Sequence, residues 1–95
     1  MNVRFDPDLI KKLKKLDIRI RKSFRERVLI FQKNPRESSL NNHDLKDPYQ
    51  GLRSIDITND YRAIYEETIT GEDTFAYFSL LGIHDELYGK KVSSS

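Results

Sequence analysis

The spacing of apolar residues changes once along this chain, near residue 52, and that change constrains its fold more than any other feature. Upstream, Leu9, Ile10, Leu13 and Leu16 recur at helical intervals, with Lys11, Lys12, Lys14 and Lys15 filling the other face. Asp6-Pro7 predicts where this helix starts. The aspartate can cap it, and proline suits the first helical position, where its missing N–H costs nothing. A second helical pattern runs through Ile20, Phe24, Val28 and Phe31. It stops before Asn34-Pro35, because proline disfavours a helical conformation in the residue preceding it. The two patterns meet around Asp17, which predicts an antiparallel helical hairpin, and Val3 with Phe5 predicts a short strand ahead of it.

Downstream the period is two. Residues 34–51, rich in Asn, Ser, Asp and Pro, read as a loop with a short turn of helix. Leu52 to Thr58 then alternates, with Arg53, Ile55 and Ile57 on one face and Ser54 and Asp56 on the other. After a turn at Thr58-Asn59-Asp60, a second strand is expected over Tyr61–Glu67, followed by a turn over Thr68–Asp73. Thr74 to Leu81 is aromatic-rich and almost continuously apolar, as in a central strand covered on both sides. His84 to Tyr88 reads as a short helical turn closed by Gly89. The predicted class is therefore α+β: a short N-terminal strand and a helical hairpin packed on a small antiparallel sheet.

Several function classes drop out on composition. The 95 residues suffice for one domain, expected over residues 1–89, with a polar tail over 90–95 that is expected to fray. With no cysteine, neither a disulfide framework nor a thiolate metal site is possible. The most apolar stretch, Phe75 to Ile83, is too short to span a bilayer, so no membrane partner is expected. Met1-Asn2-Val3-Arg4 leads into a Lys-rich segment without the apolar middle of a secretion signal, and a cytoplasmic location is expected. The net charge of +2 hides a separation: residues 1–33 carry +7 and residues 34–95 carry −5. A basic half of this kind is attracted to polyanions, although lysines on a helix also serve simply as its wet face.

The residues able to carry chemistry cluster in the second half. His43 and His84 are the only histidines, the first in the long loop and the second just past the last strand. The first two meander strands and the turn between them add Arg53, Asp56, Asp60 and Arg62, and Tyr88 lies one helical turn beyond His84. Histidine, aspartate, arginine and tyrosine together are the parts needed for acid–base work on a phosphate ester. No metal-ligand spacing and no phosphate-cradling glycine loop competes with them, and no cofactor is expected. These residues alone leave the function open.

Three segments narrow it. His43-Asp-Leu-Lys, then Gly51 through Tyr65 (Gly-Leu-Arg-Ser-Ile-Asp-Ile-Thr-Asn-Asp-Tyr-Arg-Ala-Ile-Tyr), then Leu81-Gly-Ile-His-Asp-Glu-Leu-Tyr-Gly89 resemble the run of motifs in YafQ-like toxins of the RelE/ParE superfamily. The resemblance spans essentially the whole domain, in the same order and spacing. It implies a RelE-like fold and a small endoribonuclease, independent of metal, that cuts messenger RNA in the ribosomal A site and is held inactive by a cognate antitoxin. Position by position, it implies that His43, Asp60, His84 and Tyr88 take part in cleavage and that Arg62 meets the scissile phosphate. Where the YafQ-like pattern has a histidine on the first meander strand, this chain has Asp56, a weaker base than imidazole. Ile83 stands where threonine is more usual.

The implied reaction is attack by the ribose 2′-OH on the adjacent phosphorus, giving a 2′,3′-cyclic or 3′-phosphate and a 5′-hydroxyl. His84 is expected to act as acid or phosphate stabiliser, His43 or Asp56 as base, Arg62 with Arg53 as charge stabilisers, Asp60 as the orienter of a histidine, and Tyr88 as a stacking group. On the same reading a subset of Lys11, Lys12, Lys14, Lys15, Arg19, Arg21, Lys22 and Arg25 is expected to hold the chain against ribosomal RNA. The competing expectation is a ParE-like toxin that poisons DNA gyrase without cleaving RNA, or a catalytically degenerate member. The paired histidines favour the nuclease, while Asp56 pulls slightly the other way.

Overall fold

A computed structural model describes residues 1–88, so the expected stop at Gly89 and the polar tail over 90–95 lie outside the described residues. The elements run β1 (Asn2–Phe5), α1 (Pro7–Lys14), α2 (Ile18–Lys33), β2 (His43–Asp44), β3 (Arg53–Asp56), β4 (Tyr61–Thr70), β5 (Asp73–Ile83) and α3 (His84–Tyr88), with a 3-10 turn at Ser38–Leu40. The class is α+β, as predicted. No helix among the described residues is long and apolar enough to cross a membrane.

The starts of α1 and α2 are both made by aspartate. The Asp6 side chain accepts from the Asp8 N–H at 2.8 Å and the Asp17 side chain from the Arg19 N–H at 2.7 Å, satisfying donors that the first turn leaves unpaired. Asp6 also accepts from the Tyr77 hydroxyl at 2.8 Å, which fastens the start of α1 to β5. These bonds hold both carboxyls below the ordinary aspartate value of 3.8, with the Tyr77 hydroxyl the leading cause for Asp6 and the Arg19 amide for Asp17. A carboxylate depressed in the folded state adds stability above its unfolded pKa and loses that contribution as the pH falls through its folded pKa. Thermal midpoints should therefore be level near neutrality and drop below about pH 4. Asp6→Asn should flatten that drop, and an unchanged acid limb in this variant would remove Asp6 from the account.

The sheet has the order β1-β5-β4-β3-β2. It departs from a pure antiparallel meander in two ways. β1 joins it parallel to β5, with Asn2 opposite Phe75 and Phe5 opposite Phe78. β2, within the expected loop, adds an antiparallel edge that pairs His43 with Ser54 and Asp44 with Arg53. The β4–β5 hairpin is also longer than its sequence suggests. Thr68, Ile69, Thr70 and Asp73 stay extended, and the turn shrinks to Gly71-Glu72, where Gly71 takes the positive φ of 61° that a tight hairpin needs.

Strand alternation splits the sheet into two faces. Ile55, Ile57, Ala63, Tyr65, Ala76, Phe78 and Leu81 point into one core with Leu9, Phe24, Val28 and Phe31 of the helices. Phe31 is wholly enclosed, with Tyr65 at 4.9 Å and Phe78 at 5.2 Å, both edge to face. On the other face stand Ser54, Asp56, Arg62 and Ile64, paired across β3 and β4 as Ser54 with Ile64 and Asp56 with Arg62. Here α3 folds back over β5, and buried Ile64 and Leu87 lie outside the main core. The helical layer thus leaves this second face free for chemistry.

Candidate functional site

The second face bears an open cleft of about 360 Å³, lined by His43, Lys46, Asp47, Ser54, Arg62, His84 and Tyr88 among others. Three segments far apart in sequence build it: β2 with its following loop, the β3–β4 pair, and α3.

His43 is oriented by the backbone before it. Asn41 adopts a left-handed conformation (φ 51°), which asparagine tolerates better than most residues. Its carbonyl then lies 2.8 Å from His43 Nδ1. A carbonyl only accepts, so Nδ1 is the donor in this contact, and Nε2 is the ring nitrogen left outside it. Next to it, Asn42 locks the loop onto the sheet. It donates to the Pro35 carbonyl and the Tyr65 hydroxyl, each at 2.8 Å, and accepts from Arg53 Nε at 2.7 Å.

Arg62 is the most constrained cation of the site. Its Nη1 donates to the carbonyls of Thr58 at 2.8 Å, Asn59 at 3.0 Å and Tyr61 at 3.1 Å. Its Nε lies 2.9 Å from Asp56 Oδ1, and both side chains are about three-quarters covered. Asp56, expected as a possible base, is therefore committed to Arg62. Arg53 is on the opposite face, as the strand alternation requires. There it is paired with Asp44 and bonded to Asn42, with its side chain only 15% exposed, so it does not join Arg62 in the cleft.

His84 and Tyr88 sit one turn apart on α3, with ring centroids 4.6 Å apart. His84 is exposed, and the acid beside it is Asp85, 3.8 Å from Nδ1. Asp60 borders a neighbouring pocket with Asn59, Arg62, His84 and Asp85, but no hydrogen bond joins it to either histidine among the described residues. The Tyr88 hydroxyl lies toward Ser54, whose own buried hydroxyl has no well-formed hydrogen bond. Burial, and then the neighbouring Tyr49, raises the Tyr88 phenol above its ordinary 10.0; Ser54 and Arg62 partly offset this. Tyr88 therefore keeps its proton at neutral pH. No three His, Asp or Glu side chains among the described residues cluster as a metal-ligand set.

Two contributors were not predicted. Lys46 brings a second positive charge to the cleft. Tyr49 packs its ring on Tyr88 at 5.6 Å and donates its hydroxyl to the Leu87 carbonyl, supporting α3 from the loop side. The sequence did place His43-Asp-Leu-Lys46 in a single motif, which was the available signal for Lys46.

The basic residues of the helices are separated from the cleft by the sheet. Lys11, Lys15, Arg19 and Lys22 are exposed, and Lys12 is paired with Glu86. Lys14, Arg21 and Arg25 border a larger cavity, an apolar groove of about 500 Å³ lined by Val3, Phe5, Ile10, Leu13 and residues of α2. That groove holds no catalytic set.

No protein-family model and no curated protein sequence matches the chain. Solved structures do. A YoeB/ParE toxin from Agrobacterium tumefaciens superposes with a TM-score of 0.71 at 16% identity, covering 88% of this chain and 99% of that one. YafQ from E. coli gives 0.63 at 20% identity, covering 93% and 98%. The YoeB-YefM toxin-antitoxin complex from Staphylococcus aureus, described as a heterotetramer, matches with a TM-score of 0.66 at 19% identity, covering 88% and 97%. At these identities the likeness is one of fold: the chain shares the fold of the YoeB/ParE toxin from A. tumefaciens, of YafQ and of the toxin-antitoxin complex from S. aureus.

Proposed function

We propose that this chain is the toxin of a toxin–antitoxin pair and an endoribonuclease that cleaves messenger RNA in the ribosomal A site. The observation that carries the reading is the meeting of His43, Arg62, His84 and Tyr88 around one cleft on the uncovered face of a toxin fold.

Each step of 2′-OH attack has a group suited to it. His43, its Nδ1–H held by the Asn41 carbonyl, presents Nε2 to the cleft and takes the ribose 2′-OH proton there. The 2′-oxygen then bonds to phosphorus, and charge gathers on the non-bridging oxygens. Arg62 is fixed in advance of that charge by the turn carbonyls and Asp56, and Lys46 adds to the field. His84, protonated, gives its proton to the departing 5′-oxygen as the P–O bond breaks, leaving a 2′,3′-cyclic phosphate and a 5′-hydroxyl. Tyr88, still protonated, offers a donor and a ring face for a base. Asp56 acts here as the partner of Arg62, and Asp60 holds charge beside His84. The exposed Lys11, Lys15 and Lys22, with Lys14, Arg21 and Arg25, would meet ribosomal RNA through its phosphates, in a salt-dependent way. A cognate antitoxin is the proposed protein partner, as a partner is present in the S. aureus complex.

Primer extension on cellular transcripts after brief induction tests this. New 5′ ends inside coding regions, in register with codons and absent with His84→Ala, are expected. Growth arrest with intact transcripts would sink the nuclease and make gyrase the target to assay.

A further inference from the structure

Helix α3 is five residues long, too short to hold itself in water, yet it carries both His84 and Tyr88. Something outside it must fix its place. Past Phe78, β5 has no strand on its β1 side, and α1 and α3 both pack against it. There a single oxygen, Glu86 Oε1, accepts from the Ile83 N–H at 3.0 Å and from Lys12 Nζ of α1 at 3.0 Å. The contact passes over Gly82, where a Cβ would come within 2.7 Å of Glu86 Oε1 and 3.0 Å of Lys12 Nζ. Gly82 pairs with Arg62 in the sheet, so the crossing lies directly beside the cleft.

We infer that Glu86, joined to Lys12 across the bare surface of Gly82, is a positioning residue that sets His84 and Tyr88 in the cleft, in addition to Tyr49. One carboxylate oxygen caps the first turn of α3 and ties it to α1, joining residues 74 positions apart. Lys12 then serves the site as a brace and not as an RNA contact. The Ile83 amide, followed by Lys12, keeps the Glu86 carboxyl below its ordinary 4.5, so the brace is charged at neutral pH. Glutamine at 86 keeps a carbonyl for Ile83 N–H and loses only the charge that holds Lys12. Alanine loses both.

The assignment of a catalytic consequence rests on the nuclease reading, but the positioning itself does not, and the two are separable by experiment. In the full chain, the Tyr88 ring shifts the NMR signals of His84, while those of His43 report the far wall of the cleft. Glu86→Ala and Gly82→Ala are each expected to move His84 signals toward those of an unstructured histidine and to leave His43 in place. Glu86→Gln should keep most of the His84 shift. Cleavage by Glu86→Ala should fall about 10- to 100-fold, as for a misplaced catalytic group, with part of the loss recovered by glutamine. Unmoved His84 signals in Glu86→Ala would overturn the inference, whether or not the wild type cuts RNA. Should Glu86→Ala fail to fold, Lys12→Met on the half-exposed face of α1 decides the matter by the same signal: a shifted His84 supports the brace, an unshifted one ends it.

Discussion

Arg62→Ala is expected to slow RNA cleavage by about 10²–10³-fold while leaving the fold intact, the loss typical of removing one fixed donor from developing negative charge. The expectation follows from how the guanidinium is held. Three carbonyls from the β3–β4 turn and Asp56 set its plane before substrate arrives, so no reorganisation is needed as the phosphoryl oxygens gain charge. Lysine keeps the charge but cannot reproduce the planar set of contacts, so Arg62→Lys should recover little. Asp56→Asn separates two roles for that position. If Asp56 only positions Arg62, the turn carbonyls still hold the arginine and the loss stays well short of that in Arg62→Ala. If instead Asp56→Asn matches Arg62→Ala and flattens the acid limb of the pH–rate profile, Asp56 is the base and His43 is not. Single-turnover cleavage of a ribosome-bound messenger, with urea unfolding as the control for the fold, measures all three variants.

What was legible in the sequence was local. Asp6-Pro7 marks the first helix start, where the aspartate's bond spans only two residues, and the repeat of Phe24, Val28 and Phe31 marks the face that is buried. Alternation even separated Arg53 from Asp56 by face. Arg53 is held away from the cleft because its partners, Asn42 and Asp44, come from a loop folded back on β3, and no spacing rule reaches across that loop. The same limit hid the parallel β1–β5 pairing and the Lys12–Glu86 brace. The long β4–β5 hairpin was missed for another reason. Its Thr and Asp residues look like a turn, but β-branched Thr68, Ile69 and Thr70 are also at home in an extended ribbon. Four of the cleft residues, His43, Arg62, His84 and Tyr88, were found singly. Their meeting depends on tertiary structure, and only the family resemblance anticipated it.

Phe31→Ala should be the most destabilising single change in the helical layer, by about 3–5 kcal/mol. The ring is fully enclosed and is gripped edge-on by Tyr65 and Phe78, so truncation removes its transfer energy and both aromatic contacts, and leaves a hole among β-sheet side chains that cannot move in to fill it. A domain this small has about 5–15 kcal/mol in all, so the variant should be partly unfolded at ordinary temperature. Phe31→Leu refills much of the volume and should lose far less, and Leu29→Ala, at a position 54% exposed, should stay within about 0.5 kcal/mol of the wild type. Urea midpoints with an unchanged slope would give these differences directly. A loss under about 1 kcal/mol for Phe31→Ala would mean that the helices close onto the sheet without it, contrary to a rigidly packed core. Cleavage per folded molecule should be preserved in Phe31→Ala, because the ring lies on the face of the sheet opposite Arg62. Arg62→Ala and Phe31→Ala should thus fail in opposite ways: the first stays folded and loses turnover, and the second keeps its chemistry and loses the fold.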